Sequence, residues 1–342
     1  MMLTALSSCI KAVNPQYTPK EKESESVIDR EGFAKGADIS SITQYENEGI
    51  KFYNSKGAET ECTALMKEIG MNSIRLRVWV NPTDGWCSAE DVLVKAIRAQ
   101  KLGMRIMIDF HYSDTWADPG NQITPAAWAD YDMFRLNMAV RQHTSSVLSL
   151  LKDNGVEVEW VQVGNETRGG MLYPLGKYEN GENYAALTTA GYEAAKSVYP
   201  DCKVIVHIDT GSRLDLYQRI FPVLNRYGGK YDMIGMSHYP CTWSDDLGGY
   251  PTDWKTSTDK CLENITKVYD LYGKDIMICE VGMPASEPEL SKEMLSYFLE
   301  KTKANEHCAG VFYWEPEIYF GSYGLGAFQN GRPTIALDPF KD

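Results

Sequence analysis

The chain has no excess of positive charge: 34 Lys and Arg face 47 Asp and Glu, a formal net charge of −13. Neutralising a phosphate backbone takes clustered Lys and Arg, so no nucleic-acid partner is expected, and strongly polyanionic substrates are disfavoured. It also lacks Cys-x-x-Cys pairs. Beyond Cys9, the cysteines (Cys62, Cys87, Cys202, Cys241, Cys261, Cys279 and Cys308) are scattered, which removes the usual spacing of a zinc site. Cys202, Cys279 and Cys308 fall in or beside apolar runs, where cysteine serves as a small hydrophobe, and the spacing leaves any disulfide pairing open. No later stretch is long and apolar enough to span a bilayer. A glycine-rich phosphate loop is missing too, since Gly36-Ala37-Asp38 is no such loop, and this argues against a doubly wound nucleotide-binding sheet.

What is present is a chain of 342 residues, 43% hydrophobic, enough for one large domain of α/β-barrel size or two ordinary ones. The 21 tyrosines and 8 tryptophans are more than packing asks for, and their flat faces with polar edges suit stacking on sugars. At the N-terminus, Leu6-Ser7-Ser8-Cys9 fits the lipobox of a bacterial lipoprotein, with Cys9 the lipidated residue. The apolar stretch before it is shorter than a full signal and lacks the basic start, as if truncated. Residues up to about Arg30, with Pro15, Pro19 and the charged run Lys20 to Ser26, cannot bury a core and read as a tether or an ordinary disordered tail. The expected organisation is a signal remnant and tether over 1–31 and one catalytic domain over 32–342. The expected setting is an exported bacterial lipoprotein, monomeric and held by its lipid at the cell surface, outer membrane or periplasm.

From Phe33 onward, short apolar runs alternate with Gly- or Pro-marked loops and amphipathic segments. Expected strands are Phe33 to Ile39, Asn72 to Val80, Arg105 to His111, Trp160 to Gly164, Lys203 to Asp209, Met233 to His238, Asp275 to Glu280 and Gly310 to Trp314. Helical patterns include Ala89 to Leu102, Phe134 to Lys152, Tyr184 to Tyr199, Asp259 to Tyr272 and Leu290 to Ala304. Strands apolar on both faces suit a parallel sheet covered by helices. Their number and spacing predict an α/β fold, a (β/α)8 TIM barrel, whose chemistry sits at the C-terminal strand ends. Those ends carry Asp38, Arg75 and Arg77, Asp109 with His111, Asn165 with Glu166, His207 with Asp209, His238 with Tyr239, Glu280, and Trp314 with Glu315.

Two of these runs, Val161 to Glu166 and Ile276 to Gly282, place a glutamate at the tip of a buried strand. Stranding a carboxylate beside a core costs roughly several kcal/mol unless it is paired or used. Strands four and seven face one another across such a barrel, so the two carboxyls can converge on one glycosidic bond. Glu166 is read as general acid/base and Glu280 as nucleophile, the latter kept ionised by Arg77 and the Tyr239 hydroxyl. Asn165 can donate to a sugar 2-hydroxyl, and Trp314 offers a floor for a sugar ring.

The constellation resembles the clan of retaining (β/α)8 glycosidases with Asn-Glu after strand four and Glu after strand seven. Within that clan it is similar to glycoside hydrolase family 53, the endo-β-1,4-galactanases. The likeness runs from Gly32 to the C-terminus and rests on KGADIS (Lys35 to Ser40), IRLRVWVNP (Ile74 to Pro82), IDFHYSDTWADPGNQ (Ile108 to Gln122), VQVGNE, HIDTG (His207 to Gly211), GMSHYP (Gly235 to Pro240) and GVFYWEPE (Gly310 to Glu317). It implies Glu166 and Glu280 as the catalytic pair. Asp38, Arg77, His111, Trp116, Asn165, His207, His238, Tyr239 and Trp314 would then line a cleft for neutral galactan, with no cofactor and no metal. Two departures, Glu280-Val281-Gly282-Met283-Pro284 and Glu317-Ile318-Tyr319-Phe320, bear on subsites and chain-length preference. Bacterial relatives can bind calcium in a long seventh loop; the short Pro284 to Glu289 segment predicts no ion there.

Blander readings stand beside these. The glutamates could be buried partners of Arg75 or Arg77, and His111, His207 and His238 could be histidines supporting the site from behind. Trp128 could be a packing residue, with Trp116 the better ligand, and Asp114 and Asp118 could simply fix their loop. Rival functions are a barrel metallohydrolase using His207 and His238, a non-catalytic glycan-binding lipoprotein, and a related glycosidase cutting β-mannan, β-glucan or xylan. The metallohydrolase would want His-x-His on strand one, where Asp38-Ile39-Ser40 stands.

Overall fold

The computed structural model describes residues 28–242, 251 and 253–341, and in it eight parallel strands close into a barrel in chain order. They are β1 (Ala34–Asp38), β2 (Ser73–Val78), β3 (Arg105–Phe110), β4 (Trp160–Val163), β5 (Lys203–Ile208), β6 (Met233–His238), β7 (Ile276–Val281) and β8 (Cys308–Trp314). Closure is made by β1, where Ala37 lies opposite Ile74 of β2 on one side and Tyr313 of β8 on the other. All eight strands fall where the apolar runs place them. Cys9 and the tether up to residue 27 lie outside the described residues.

Around the barrel run α1 (Ile42–Asn47), α2 (Cys62–Ile69), α3 (Ala89–Lys101), α4 (Met133–Asp153), α5 (Gly181–Val198), α6 (Leu214–Arg226), α7 (Lys255–Tyr272) and α8 (Pro288–Ala304). Local chemistry starts several of them. Asp132 caps α4 by accepting from the Arg135 amide at 2.8 Å, and Ser88 caps α3 by accepting from Asp91. The helical patterns named from sequence correspond to α3, α4, α5, α7 and α8. The additional helices are α1, α2 and α6, of which α6 carries Pro222, which interrupts the usual helical signal.

Side chains alternate along each strand, and the barrel interior is built in layers. The lower layers are an apolar plug of Ala34, Met107, Trp160, Ile205, Met233, Met277, Cys279 and Phe312, all buried. Gly36 makes room for it, because a Cβ there would meet the Phe312 ring at 2.3 Å. One step nearer the C-terminal ends the inward positions turn polar: Asp38, Arg75, Asp109, Gln162, His207 and Ser237, all buried. The seven described cysteines are buried and free.

Candidate active site

Arg75 ties the polar layer together. Its guanidinium donates to Asp38 at 2.8 Å, Asp109 at 2.8 Å, Gln162 at 3.2 Å and Asn165 at 2.9 Å, and lies 3.0 Å from a Glu280 oxygen. With only 1% of its side chain exposed, these bonds answer most of its donors and offset the cost of burying the charge.

Above this layer stand the two glutamates. Glu166 follows β4 through Gly164, whose φ of 80° suits glycine and whose Cβ would strike Thr167 at 2.6 Å. Glu166 itself adopts a left-handed φ of 48°, a strained conformation held by its surroundings. Glu280 lies on β7 opposite Ser237, just past a register shift between Met236 and Ser237 of β6. Carboxyl oxygens of Glu166 and Glu280 and a ring nitrogen of His207 all lie within 4.8 Å of one another.

Their partners differ. A Glu280 oxygen accepts from the Tyr239 hydroxyl at 2.7 Å while the other faces Arg75. Glu166 has Ser237 Oγ at 2.6 Å from its Oε1 and no cation within ion-pair reach among the described residues. Burial, and then the Glu280 charge, hold the Glu166 carboxyl well above the usual carboxylate range. Burial also pushes Glu280 up, to about 7, with Arg75 and the Tyr239 hydroxyl pulling it back. A proton shared by the two therefore resides on Glu166, because only Glu280 has a guanidinium and a hydroxyl to stabilise its anion.

Both open into a cleft of about 700 Å³ whose lining includes His111, Trp116, Asn165, Asp209, Tyr239 and Trp314. Trp116 is 40% exposed, and its ring is supported from behind by the Arg77 guanidinium, 3.8 Å from the centroid, while its edge contacts Trp314. Tyr323, from the loop after β8, also lines the cleft and packs edge-on against Trp314. His111 accepts from the Ala117 amide through Nδ1 at 2.9 Å and bonds Asp109 through Nε2 at 3.0 Å. Burial lowers its proton affinity, so the ring is neutral.

Three expected cleft residues, Arg77, Asp38 and His207, stand outside its lining. Arg77 does not reach Glu280; it lies buried beneath Trp116 and pairs with Glu315 at 3.2 Å, and Arg75 takes the place next to Glu280. Both arginines face the barrel interior two residues apart on β2, and only the packed structure shows which one reaches Glu280. Asp38 is closed off by Arg75 and Ser40. His207 is wholly buried behind Asn165 and Ser237. His238 borders the cleft, but its ring bonds Thr258 of α7 at 2.9 Å and packs on Phe298 of α8. Ser237 was not singled out from sequence, although the alternation Met233, Gly235, Ser237 places it inward and His238 outward. Tyr323 sits in a loop without periodic signal. Asp114 and Asp118 do fix their loop: Asp114 accepts from the Asn81 and Ala126 amides, and Asp118 from those of Gly120 and Asn121. Trp128 lies outside this cleft.

Glu166, His207 and Glu280 are close enough to hold a cation, but the donor set does not suit one. Both His207 nitrogens already face partners, and the Arg75 guanidinium occupies the cation position beside Glu280. His238, which the metallohydrolase reading would need, is not part of that cluster.

Comparison with known proteins agrees with this geometry. The sequence profile of Glycosyl hydrolase family 53 matches residues 34–333. The chain is 33% identical over 315 residues to arabinogalactan endo-beta-1,4-galactanase A of Emericella nidulans, covering 86% of this chain and 87% of that one. It is 32% identical over 316 residues to a probable enzyme of the same name from Aspergillus tubingensis, with the same two coverages of 86% and 87%. Among solved structures, a fungal beta-1,4-galactanase superposes with a TM-score of 0.82 at 28% identity over 90% of this chain and 98% of that one. The GH53 catalytic domain of Ignisphaera aggregans gives 0.80 at 26% identity over 92% and 98%. More distant glycosidases, such as a xylanase at 14% identity and a TM-score of 0.61, share the barrel fold. With its profile match spanning nearly all of the barrel and its relatives aligned along most of their length, the chain belongs to glycosyl hydrolase family 53.

Proposed function

We propose that this chain hydrolyses β-1,4-galactan within the polymer, with retention of anomeric configuration, using Glu280 as nucleophile and Glu166 as general acid/base. One observation carries the mechanism: oxygens of the two carboxyls lie within 4.8 Å, near the roughly 5–5.5 Å of retaining enzymes and short of the roughly 6.5–9.5 Å that admits a water in inverting ones. In the first step a Glu280 oxygen bonds the anomeric carbon while the Glu166 proton passes to the glycosidic oxygen, and the leaving sugar departs as an alcohol. In the second, Glu166 removes a proton from water, whose oxygen displaces Glu280 from the same carbon. Arg75 and Tyr239 favour the anion that attacks and leaves. The choice of galactan rests on the relatives' activity, and the uncharged aromatic surfaces of Trp116, Trp314 and Tyr323 suit a neutral glycan.

A panel of neutral plant polysaccharides tests the substrate. Rapid release of short oligosaccharides from β-1,4-galactan, with β-mannan, β-glucan and xylan left intact, is the expected result; the converse would remove the galactanase reading. Early product NMR should show β anomers. Azide should rescue Glu280→Gly to an α-glycosyl azide and Glu166→Ala to a β-glycosyl azide. As to setting, the Leu6 to Cys9 lipobox supports an exported, lipid-tethered enzyme, and mass spectrometry of the N-terminal peptide from a bacterial host tests for diacylglyceryl on Cys9.

A further inference from the structure

Behind Glu166 runs a buried chain of hydrogen bonds whose direction the geometry fixes. Asn165 is oriented by two independent contacts: its amide nitrogen donates to the Ala117 carbonyl at 2.8 Å, and its Oδ1 accepts from Arg75 at 2.9 Å. That Oδ1 faces His207 Nδ1 at 3.0 Å. An amide oxygen has no hydrogen to give, so Nδ1 carries the proton and donates. Gln162 does not change this, because one hydrogen of its amide goes to Asp109 Oδ1 at 2.6 Å and the other has Asn165 Oδ1 at 2.9 Å, nearer than His207 Nδ1 at 3.1 Å. Burial and the nearby Arg75 hold His207 well below its ordinary range, so the ring is neutral and Nε2 is bare. Ser237 Oγ, 2.8 Å from Nε2, must then donate its single hydrogen to His207. The same Oγ lies 2.6 Å from Glu166 Oε1, and the only hydrogen left for that contact belongs to the carboxyl.

We propose that Ser237, oriented by His207, is a positioning residue that accepts a hydrogen bond from the protonated Glu166 carboxyl and latches the general acid in that form. The carboxylate would meet a lone pair at Ser237 where the acid meets an acceptor, so the contact distinguishes the two states. No bond beyond hydrogen bonds changes in the resting latch; when the leaving group departs, the Glu166 hydroxyl gives up its hydrogen bond to Ser237 and its proton passes from the carboxyl to the glycosidic oxygen. The other charged and titratable groups around Glu166 are Glu280 on β7, Asp209 beyond β5 and Arg75 on β2, with Tyr239 beyond β6 and Tyr217 on α6. Among the described residues, none of these has a side-chain hydrogen bond to Oε1 that competes with Ser237.

The inference rests on Glu166 serving as acid/base, and its sign can be read directly. If Ser237 stabilises the acid, Ser237→Ala lowers the proton affinity of Glu166 and moves the basic limb of kcat/KM to lower pH by roughly 0.5–1 unit. If Ser237 instead donates to the carboxylate, the limb moves up; an upward move or none overturns the proposal. A second measurement needs no change at Ser237: 15N NMR of the parent protein, with the His207 signals assigned by their loss in His207→Gln. A protonated-type shift at Nδ1 and an unprotonated-type shift at Nε2 are expected, and the reverse tautomer overturns the latch. Failure of the parent to cleave β-1,4-galactan would count against the substrate reading alone, since the tautomer is measured without substrate.

Discussion

Two pairs of glutamates stand at the top of the barrel, Glu166 with Glu280 and Glu315 with Glu317. In each, one member has an arginine and the other does not. Glu280 lies against Arg75, and Glu315 against Arg77 and the Ser41 hydroxyl at 2.8 Å. Among the described residues Glu166 and Glu317 have no such cation, and burial together with the neighbouring carboxylate holds both well above the ordinary range. The electrostatic pattern is thus repeated, yet only the first pair lines the cleft; Glu317 is wholly buried, with neither oxygen bonded to another side chain. A perturbed carboxyl pair therefore does not by itself mark chemistry. Access to a space that holds substrate does.

The largest expected contrast is in activity. Glu166→Ala and Glu280→Ala should each lower galactan hydrolysis by at least about a thousandfold, while Glu317→Gln stays within about twofold, measured as reducing ends released. A comparable loss in Glu317→Gln would dissolve the distinction between the pairs. Next comes stability: Glu315→Gln removes the charge opposite the buried Arg77, and thermal or urea unfolding should report a loss of roughly 3–5 kcal/mol.

A smaller effect sharpens the roles inside the open pair. Tyr239→Phe deletes a donor to the Glu280 carboxylate, so the acid limb of kcat/KM should move up by about one unit, with roughly a tenfold loss in rate at neutral pH. An unmoved limb would mean that Arg75 alone sets the charge of Glu280. The subtlest test concerns Glu317. Its folded-state proton affinity exceeds the unfolded one, so above about pH 4 the folded protein keeps a proton that the unfolded chain has lost. Stability from this group is complete below that pH and falls as pH rises. Glu317→Gln should flatten the decline in Tm between about pH 5 and about pH 8 without abolishing it, because Glu166 carries a shift of the same sign.

Much of this was legible in the sequence for a simple reason. Each strand is a short apolar run closed by a polar tip, so eight runs announce eight strands and their tips announce a mouth. Glu166 and Glu280 stood out because nothing apolar explains a carboxylate there. Height within the barrel was not legible: Arg75 and Arg77 share an inward face, and only packing shows that the first reaches Glu280 while the second is roofed by Trp116. His238 does border the cleft, although alternation turns its ring toward α7. Tyr323 comes from a loop, where no period exists to follow.

The apolar plug beneath Arg75 closes the barrel from below, with Trp160 and Phe312 packed edge to face across it. Among the described residues, the way in for a molecule that discharges the proposed sugar ester on Glu280 is the cleft just vacated by the departing fragment. Water must compete there with any carbohydrate hydroxyl that arrives first, and in concentrated oligosaccharide the same barrel would build glycosidic bonds as well as break them.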